Sequence, residues 1–374
     1  MKKILKYVIL LLCLFLVSCS PRAEEPPEKK DEGVLDEGPT TVPDVPGVPD
    51  EPVTEDPVPD EPDPTKTEIS MITGLPCTPE LYSSRPIAVM INNLKDSYPQ
   101  MSVSGADLIY ECNAEGGITR LMAVYSDWSD ISEIGSVRSA RPYFISLAEG
   151  HDAIFVHAGG SDAAYEKIKT DRVNNIDGVN MYNIPSSTFY RDPDRRKNNG
   201  YEHSLMTASD RLLTALDTLK YRREYPSNFE SGLKFDAEAR LSGGECVKEI
   251  KLKHSYYITV TFTYDEENGK YLKSSFDEPN VDGVNGEKLY FDNVLVLFVR
   301  ERVLDEAGRL DVSVVGEGRG YYLTSSECYD ITWSKDDDMS PIRYYIDGEE
   351  LTLRPGKTHI TFFNKNNTDA IVKK

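Results

Sequence analysis

Arg120, Arg138 and Arg141 fall at bends of one stretch, 107–161, that also holds Glu111, Glu115, Ser139, His157 and Ser161. Its runs are Asp107-Leu-Ile-Tyr-Glu111, Glu115-Gly-Gly-Ile-Thr-Arg120, Gly135-Ser-Val-Arg138-Ser-Ala-Arg141-Pro142 and His157-Ala-Gly-Gly-Ser161. A guanidinium presents a planar fork of donors that matches phosphate or carboxylate. Arg138 and Arg141 precede Pro142, which suits the first turn of a helix because it has no N–H to leave unsatisfied. A helix start adds free N–H groups and partial positive charge. The expected chemistry is therefore an anion pocket of Arg120, Arg138 and Arg141, with Ser139, His157 and Ser161 as polar companions. The competing reading pairs these arginines with Asp107, Glu111 and Glu115, locking a sheet to its loops. Two further chemistries are open to the same residues. His157 has Asp162 or Glu115 as a partner for general-base work. Glu111 and Glu115 form a carboxylate pair of the kind glycoside cleavage uses, although Arg120 competes for them as a salt-bridge partner.

The elements that must position these groups alternate in type. Pro86–Ile91, Asp107–Glu111 and Leu121–Ser126 are short apolar runs, as expected of strands buried on both faces. A helix is expected from Pro142 to Glu149, stopped by Gly150, then a strand over Ala153–His157 and a second helix capped by Ser161 or Asp162. Thr207-Ala-Ser-Asp210 reads as a cap ahead of Leu212, Leu213, Leu216 and Leu219 at helical spacing. Residues 171–206 read as a polar loop carrying the basic run Arg191-Asp-Pro-Asp-Arg195-Arg196-Lys197 and His203. This first block, 69–225, is an expected α/β domain. The block 245–374 alternates with period two, has a hairpin signal at Asn268-Gly269, and continues through short strands with no long amphipathic helix. It is expected to be a separate, mainly β domain, joined near 220–244.

Ahead of both lies an address. Lys2, Lys3 and Lys6 precede an apolar run too short to span a bilayer, and Leu16-Val17-Ser18-Cys19 follows the bacterial lipobox pattern. Residues 1–19 are thus expected to be a signal peptide, with Cys19 lipidated and the protein extracytoplasmic, anchored to the membrane. Residues 20–68 hold 12 prolines, 16 acidic and 4 basic residues, a disordered acidic Pro-rich linker that cannot bury enough apolar surface to fold. At about 3.1 Å per residue it reaches on the order of 100 Å. Of the net charge of −21, the signal contributes +3 and the linker −12, which leaves −12 for residues 69–374. Such acidity argues against nucleic acid as a partner. No spacing typical of a metal site is present, and no cofactor is expected. Cys77, Cys112, Cys246 and Cys328 allow three disulfide pairings, and the spacing selects none.

The Glu111-x-x-x-Glu115-Gly-Gly-Ile-Thr-Arg120, Gly135-Ser-Val-Arg138-Ser-Ala-Arg141-Pro142-Tyr143 and His157-Ala-Gly-Gly-Ser161 motifs resemble the YerB-like lipoprotein family, DUF3048. Tyr264-Asp265, Gly269-Lys-Tyr271, Asn293-Val294 and Gly318-x-Gly320-Tyr321 resemble its C-terminal domain, with Lys273 standing where family members often carry arginine. The resemblance implies architecture and carries no established activity. In order of elements alone, the first block is similar to LytR-CpsA-Psr cell-wall ligases, whose arginines bind polyprenyl pyrophosphate. The preferred function is a non-enzymatic surface lipoprotein that binds an anionic or glycan envelope ligand, or an envelope protein. The alternative is a cell-wall enzyme, a transferase or hydrolase, acting on phosphate-linked glycans or lipid-linked precursors.

Overall fold

The computed structural model describes residues 67–238 and 241–374. The signal-like segment 1–19, the lipobox Cys19 and the linker as far as residue 66 lie outside the described residues.

In the first block, β1 (Ile87–Ile91), β2 (Leu108–Asn113) and β3 (Thr119–Tyr125) are buried along their whole lengths, as their unbroken apolar runs require. Next come α1 (Pro142–Glu149), β4 (Ile154–His157), α2 (Asp162–Asp171) and β5 (Asn175–Asp177). Helix α1 opens on Pro142 and stops at Gly150, as expected. Ser161 caps α2, its Oγ accepting the Ala164 N–H at 3.2 Å. Helix α3 (Ser209–Leu219) buries Leu212 and Leu216, and leaves Leu213 and Leu219 half-buried. Its expected side-chain cap does not form. Ala208 is the cap residue, and Ser209 instead bonds the backbone of Trp128 and Ile131, tying the helix to a loop.

The second block supplies β6 (Glu249–Lys253), β7 (Thr259–Asp265), β8 (Lys270–Ser275), β9 (Asn293–Val299), β10 (Gly316–Thr324) and β11 (Glu327–Lys335). It ends with β12 (Arg343–Ile346), β13 (Thr358–Asn364) and β14 (Ile371–Lys373). Gly269 turns the β7–β8 hairpin with φ +66°, a conformation that favours glycine.

Ten of these strands lie in one twelve-stranded sheet, in the order β12-β11-β10-β9-β13-β2-β3-β1-β4-β5. The two blocks, expected as an α/β domain and a separate β domain joined near 220–244, thus share one sheet. Strand β13 is parallel to β9 of its own block on one side and to β2 of the first block on the other. A strand buried on both faces needs ladder partners on both edges, and one continuous sheet supplies them. The two faces of that sheet are the two cores, and each draws on both blocks. One packs α1 and α2 against side chains that include Phe155, Trp333 and Phe362. The other packs α3 and a second sheet ordered β8-β7-β6-β14. Strands β1, β2, β4, β5, β9 and β13 run in one direction, so their carboxyl ends form a single edge. In α/β sheets that edge is where ligands bind.

Residues 171–206 are not the unstructured polar loop expected. They hold β5, a helical turn over Pro193–Asn198, and a strand at Leu205–Thr207 that pairs with both Tyr190–Arg191 and Ile134–Gly135. Arg195 organises the segment from within. Its guanidinium donates to the carbonyl oxygens of His203 at 3.0 Å, Pro99 at 2.9 Å and Ser97. Arg195→Ala is expected to destabilise the fold by about 2 kcal/mol, since three carbonyls lose a charged donor. Urea unfolding would read the loss, and limited proteolysis would locate it within 171–206. Arg195→Lys should recover less than half, because one ammonium cannot reproduce the fork.

Candidate functional site

The loop ends of the parallel strands bring Arg120, Arg141 and Glu115 together. Arg120 is at the start of β3 and is 1% exposed. It donates to the Ser139 carbonyl at 2.8 Å and to Glu115 at 3.3 Å. Arg141, the residue before α1, donates to both oxygens of the same carboxylate, through Nε at 3.0 Å and through Nη2. Glu115 reaches them from the turn of Gly116 and Gly117, both with positive φ, which lets the chain reverse tightly between β2 and β3. Burial would raise the Glu115 pKa, but the Arg141 hydrogen bonds and the Arg120 charge hold it at about 2. Burial, with Arg141 beside it, lowers Arg120 to about 10. Arg138 turns outward to Glu202, which is half exposed, and its Nε is buried without a partner. Of the three guanidiniums expected to line an open pocket, two share a carboxylate from the protein itself and the third pairs with Glu202.

Glu111 belongs elsewhere. It is fully buried between the two sheets, with Lys273 Nζ 3.3 Å and His359 Nε2 3.2 Å from one oxygen. That oxygen holds the Lys273 ammonium by charge, with the His359 ring lying against it. Its other oxygen accepts from Thr119 and from Asn93 at 3.2 Å. Burial works against the ionised form, yet Lys273 and His359 keep the carboxyl well below its usual range. Lys273, at an inward position of β8, also donates to Ser275 at 3.0 Å. The Glu111–Glu115 pair pictured for glycoside chemistry is thus committed to two different sets of cations.

The remaining expected companions each have partners within the protein. His157 is fully buried, with Nδ1 at 2.9 Å from the Gly159 carbonyl and Nε2 at 3.2 Å from Asn175. Asp162 is exposed on α2, and Glu115 is taken by arginines, so neither serves His157 as a base partner. Ser161 is occupied as the cap of α2. Ser139 contributes its carbonyl to Arg120. Asn92 and Asn93 escaped the sequence reading, and His203, named there only within the polar loop, joins them: His203 Nδ1 meets Asn92 at 2.9 Å, and Tyr98 and Gln100 donate to the Asn93 oxygen at 2.5 and 2.8 Å. Two amides directly after a buried apolar strand were their signal. Among the described residues no cluster of three or more His, Cys, Asp or Glu is placed to hold a metal. The four cysteines described carry free thiols.

The comparisons with known proteins follow this architecture. Residues 72–222 match the family described as "Protein of unknown function (DUF3048) N-terminal domain", and residues 249–360 match "Protein of unknown function (DUF3048) C-terminal domain". The protein named "Putative lipoprotein YerB" of Bacillus subtilis (strain 168) is 28% identical over 294 residues, covering 77% of this chain and 84% of the relative. A crystal structure of the YerB protein from Bacillus subtilis superposes with a TM-score of 0.71 at 26% identity, covering 82% of this chain and 99% of that one. Matched in both its halves and in its fold, the chain belongs to the DUF3048 family of YerB-like lipoproteins.

Proposed function

We propose that this chain is a surface lipoprotein, tethered through Cys19, that binds an anionic cell-envelope ligand at the arginine bend without transforming it. The tether reading rests on the lipobox and on the name of the Bacillus relative. No helix among the described residues is long and apolar enough to cross a membrane. The observation that carries the binding reading is the charge imbalance at the bend. Three guanidiniums face two carboxylates, and Glu202 is exposed enough to be displaced. A ligand phosphate or carboxylate taking the place of Glu202 would engage Arg138 with its fork complete.

The test uses the full chain and glycerol 3-phosphate as probe, read by calorimetry. Arg138→Ala should weaken binding at least tenfold. Its cost in stability should stay within about 1 kcal/mol, because an exposed ion pair contributes no more than that. Glu202→Ala should tighten binding by removing the competitor. Affinity unaltered by both substitutions would sink the reading.

A further inference from the structure

We infer that the carboxyl edge of the sheet carries a second, elongated site for a phosphate-bearing glycopolymer, lined by Arg300, Arg319 and Lys365. The inference rests on the reading of an anionic envelope ligand, and it assigns that ligand's class and a footprint beyond the bend. A cavity of about 720 Å³ opens between the ends of β9, β10 and β13. Arg300 directly follows β9, Lys365 directly follows β13, and Arg319 lies near the start of antiparallel β10. Val299 pairs with Asn364 in the parallel ladder, so Arg300 and Lys365 are the next residues on adjacent strands. Neighbouring strands stand about 4.8 Å apart. Among the described residues none of these three cations has a carboxylate within 4.0 Å, and Glu317 is the one acid on the cavity wall. Like charges held together without a counter-ion, on a chain of net charge −21, are a cost that a bound polyanion removes.

The rest of the wall fits sugar or polyol units between phosphates. Phe298 and Tyr321 meet edge-to-face with centroids 5.0 Å apart, an aromatic surface for a ring to lie against. Buried Trp333 presents an indole Nε1–H without a partner. Gly318 keeps the floor open there, since a Cβ on it would stand 2.6 Å from that nitrogen. The groove also continues. A second cavity of about 360 Å³ shares Arg300, Ser313 and Val315 with the first and runs to Pro142 and Tyr143 of α1, the residues next to Arg141; its two acids, Asp311 and Asp338, are paired with Arg302 and Lys167. A chain with charges at regular intervals therefore fits better than one small anion.

The experiment titrates the full chain with a defined glycerol-phosphate oligomer of six units, and with glycerol 3-phosphate. The triple variant Arg300→Ala, Arg319→Ala, Lys365→Ala should bind the oligomer at least thirtyfold more weakly, with a shallower salt dependence. It should bind glycerol 3-phosphate as the parent does. Arg138→Ala should weaken both ligands, so failure of the bend and failure of the groove are told apart. All three groove cations are exposed, and the triple variant should keep the parent's melting temperature. Oligomer affinity unaltered in the triple variant would overturn the inference. So would equal binding of an uncharged polyol of the same length. Equal or tighter binding of an acidic peptide copied from Asp50–Pro64 of this chain would overturn it as well, assigning the groove to protein carboxylates.

Discussion

Glu111→Ala is expected to cost the folded state about 3–5 kcal/mol, measured as a shift in the guanidinium unfolding midpoint at constant slope. The magnitude follows from what is left behind. Lys273 is fully buried, and without Glu111 its ammonium faces two histidines, a serine and no carboxylate. Removing one partner of a buried pair is far costlier than replacing both. The double variant Glu111→Leu, Lys273→Met should therefore recover most of the loss. If the single substitution costs under 1 kcal/mol, Glu111 is not holding the two sheets together. Acid adds a second readout. Burial lowers His254 and His359, and likewise His151 beside Tyr110, to about 4. An unfolded histidine takes up its proton near pH 6.5. Between pH 6.5 and 4 the unfolded chain therefore binds more protons, and stability falls as pH falls, by up to about 1.4 kcal/mol per unit for each histidine. Glu111 acts lower. Its folded pKa is depressed, so its contribution is complete above the ordinary glutamate range and fades below about pH 4.3. Glu111→Ala should keep the upper limb of the acid curve and lose its share of the lower one.

How far such a network can be read from sequence depends on the distance its contacts span. Pro142, Gly150 and Ser161 announce α1 and α2 because caps and stops act within one turn. The strands of the second block show themselves through period-two burial, as in β8, where Tyr271, Lys273 and Ser275 all point inward. Periodicity reports the face of a strand and is silent about its neighbour. Nothing near Thr358 indicates that β13 pairs with β2, some 250 residues earlier, and that pairing merges the two blocks into one sheet. Glu111 and Lys273 are hidden for the same reason: each is a charge on a buried strand, and each makes sense only once the other is opposite. The convergence of Arg120 and Arg141 was legible from their bends, as was the competing pairing with Glu115. The groove was not read, although a cation directly after each of two buried strands, Val299-Arg300 and Asn364-Lys365, is a local pattern.

Glu115→Ala puts the bend to its strongest test, because there the protein supplies its own anion. The carboxylate serves Arg120 and Arg141 at once, and Arg120 has no other acid among the described residues within 4.0 Å. Its removal leaves two neighbouring guanidiniums, one of them 1% exposed, repelling each other in a poorly solvated site. A loss of about 2–4 kcal/mol is expected in phosphate-free buffer. If the bend is built to receive anions, inorganic phosphate should enter the vacated position and restore the fold. With a Kd near 1 mM, phosphate at 100 mM would return about 2.7 kcal/mol by mass action. Sodium chloride at matched ionic strength, which only screens, should return much less. The parent chain, with Glu115 in place, should gain little from phosphate under the same conditions. If the variant loses stability and phosphate restores no more than chloride does, the two arginines are a structural lock and the bend is not where a ligand binds. A phosphate-specific rescue that Arg138→Ala abolishes would instead place all three guanidiniums around one bound anion.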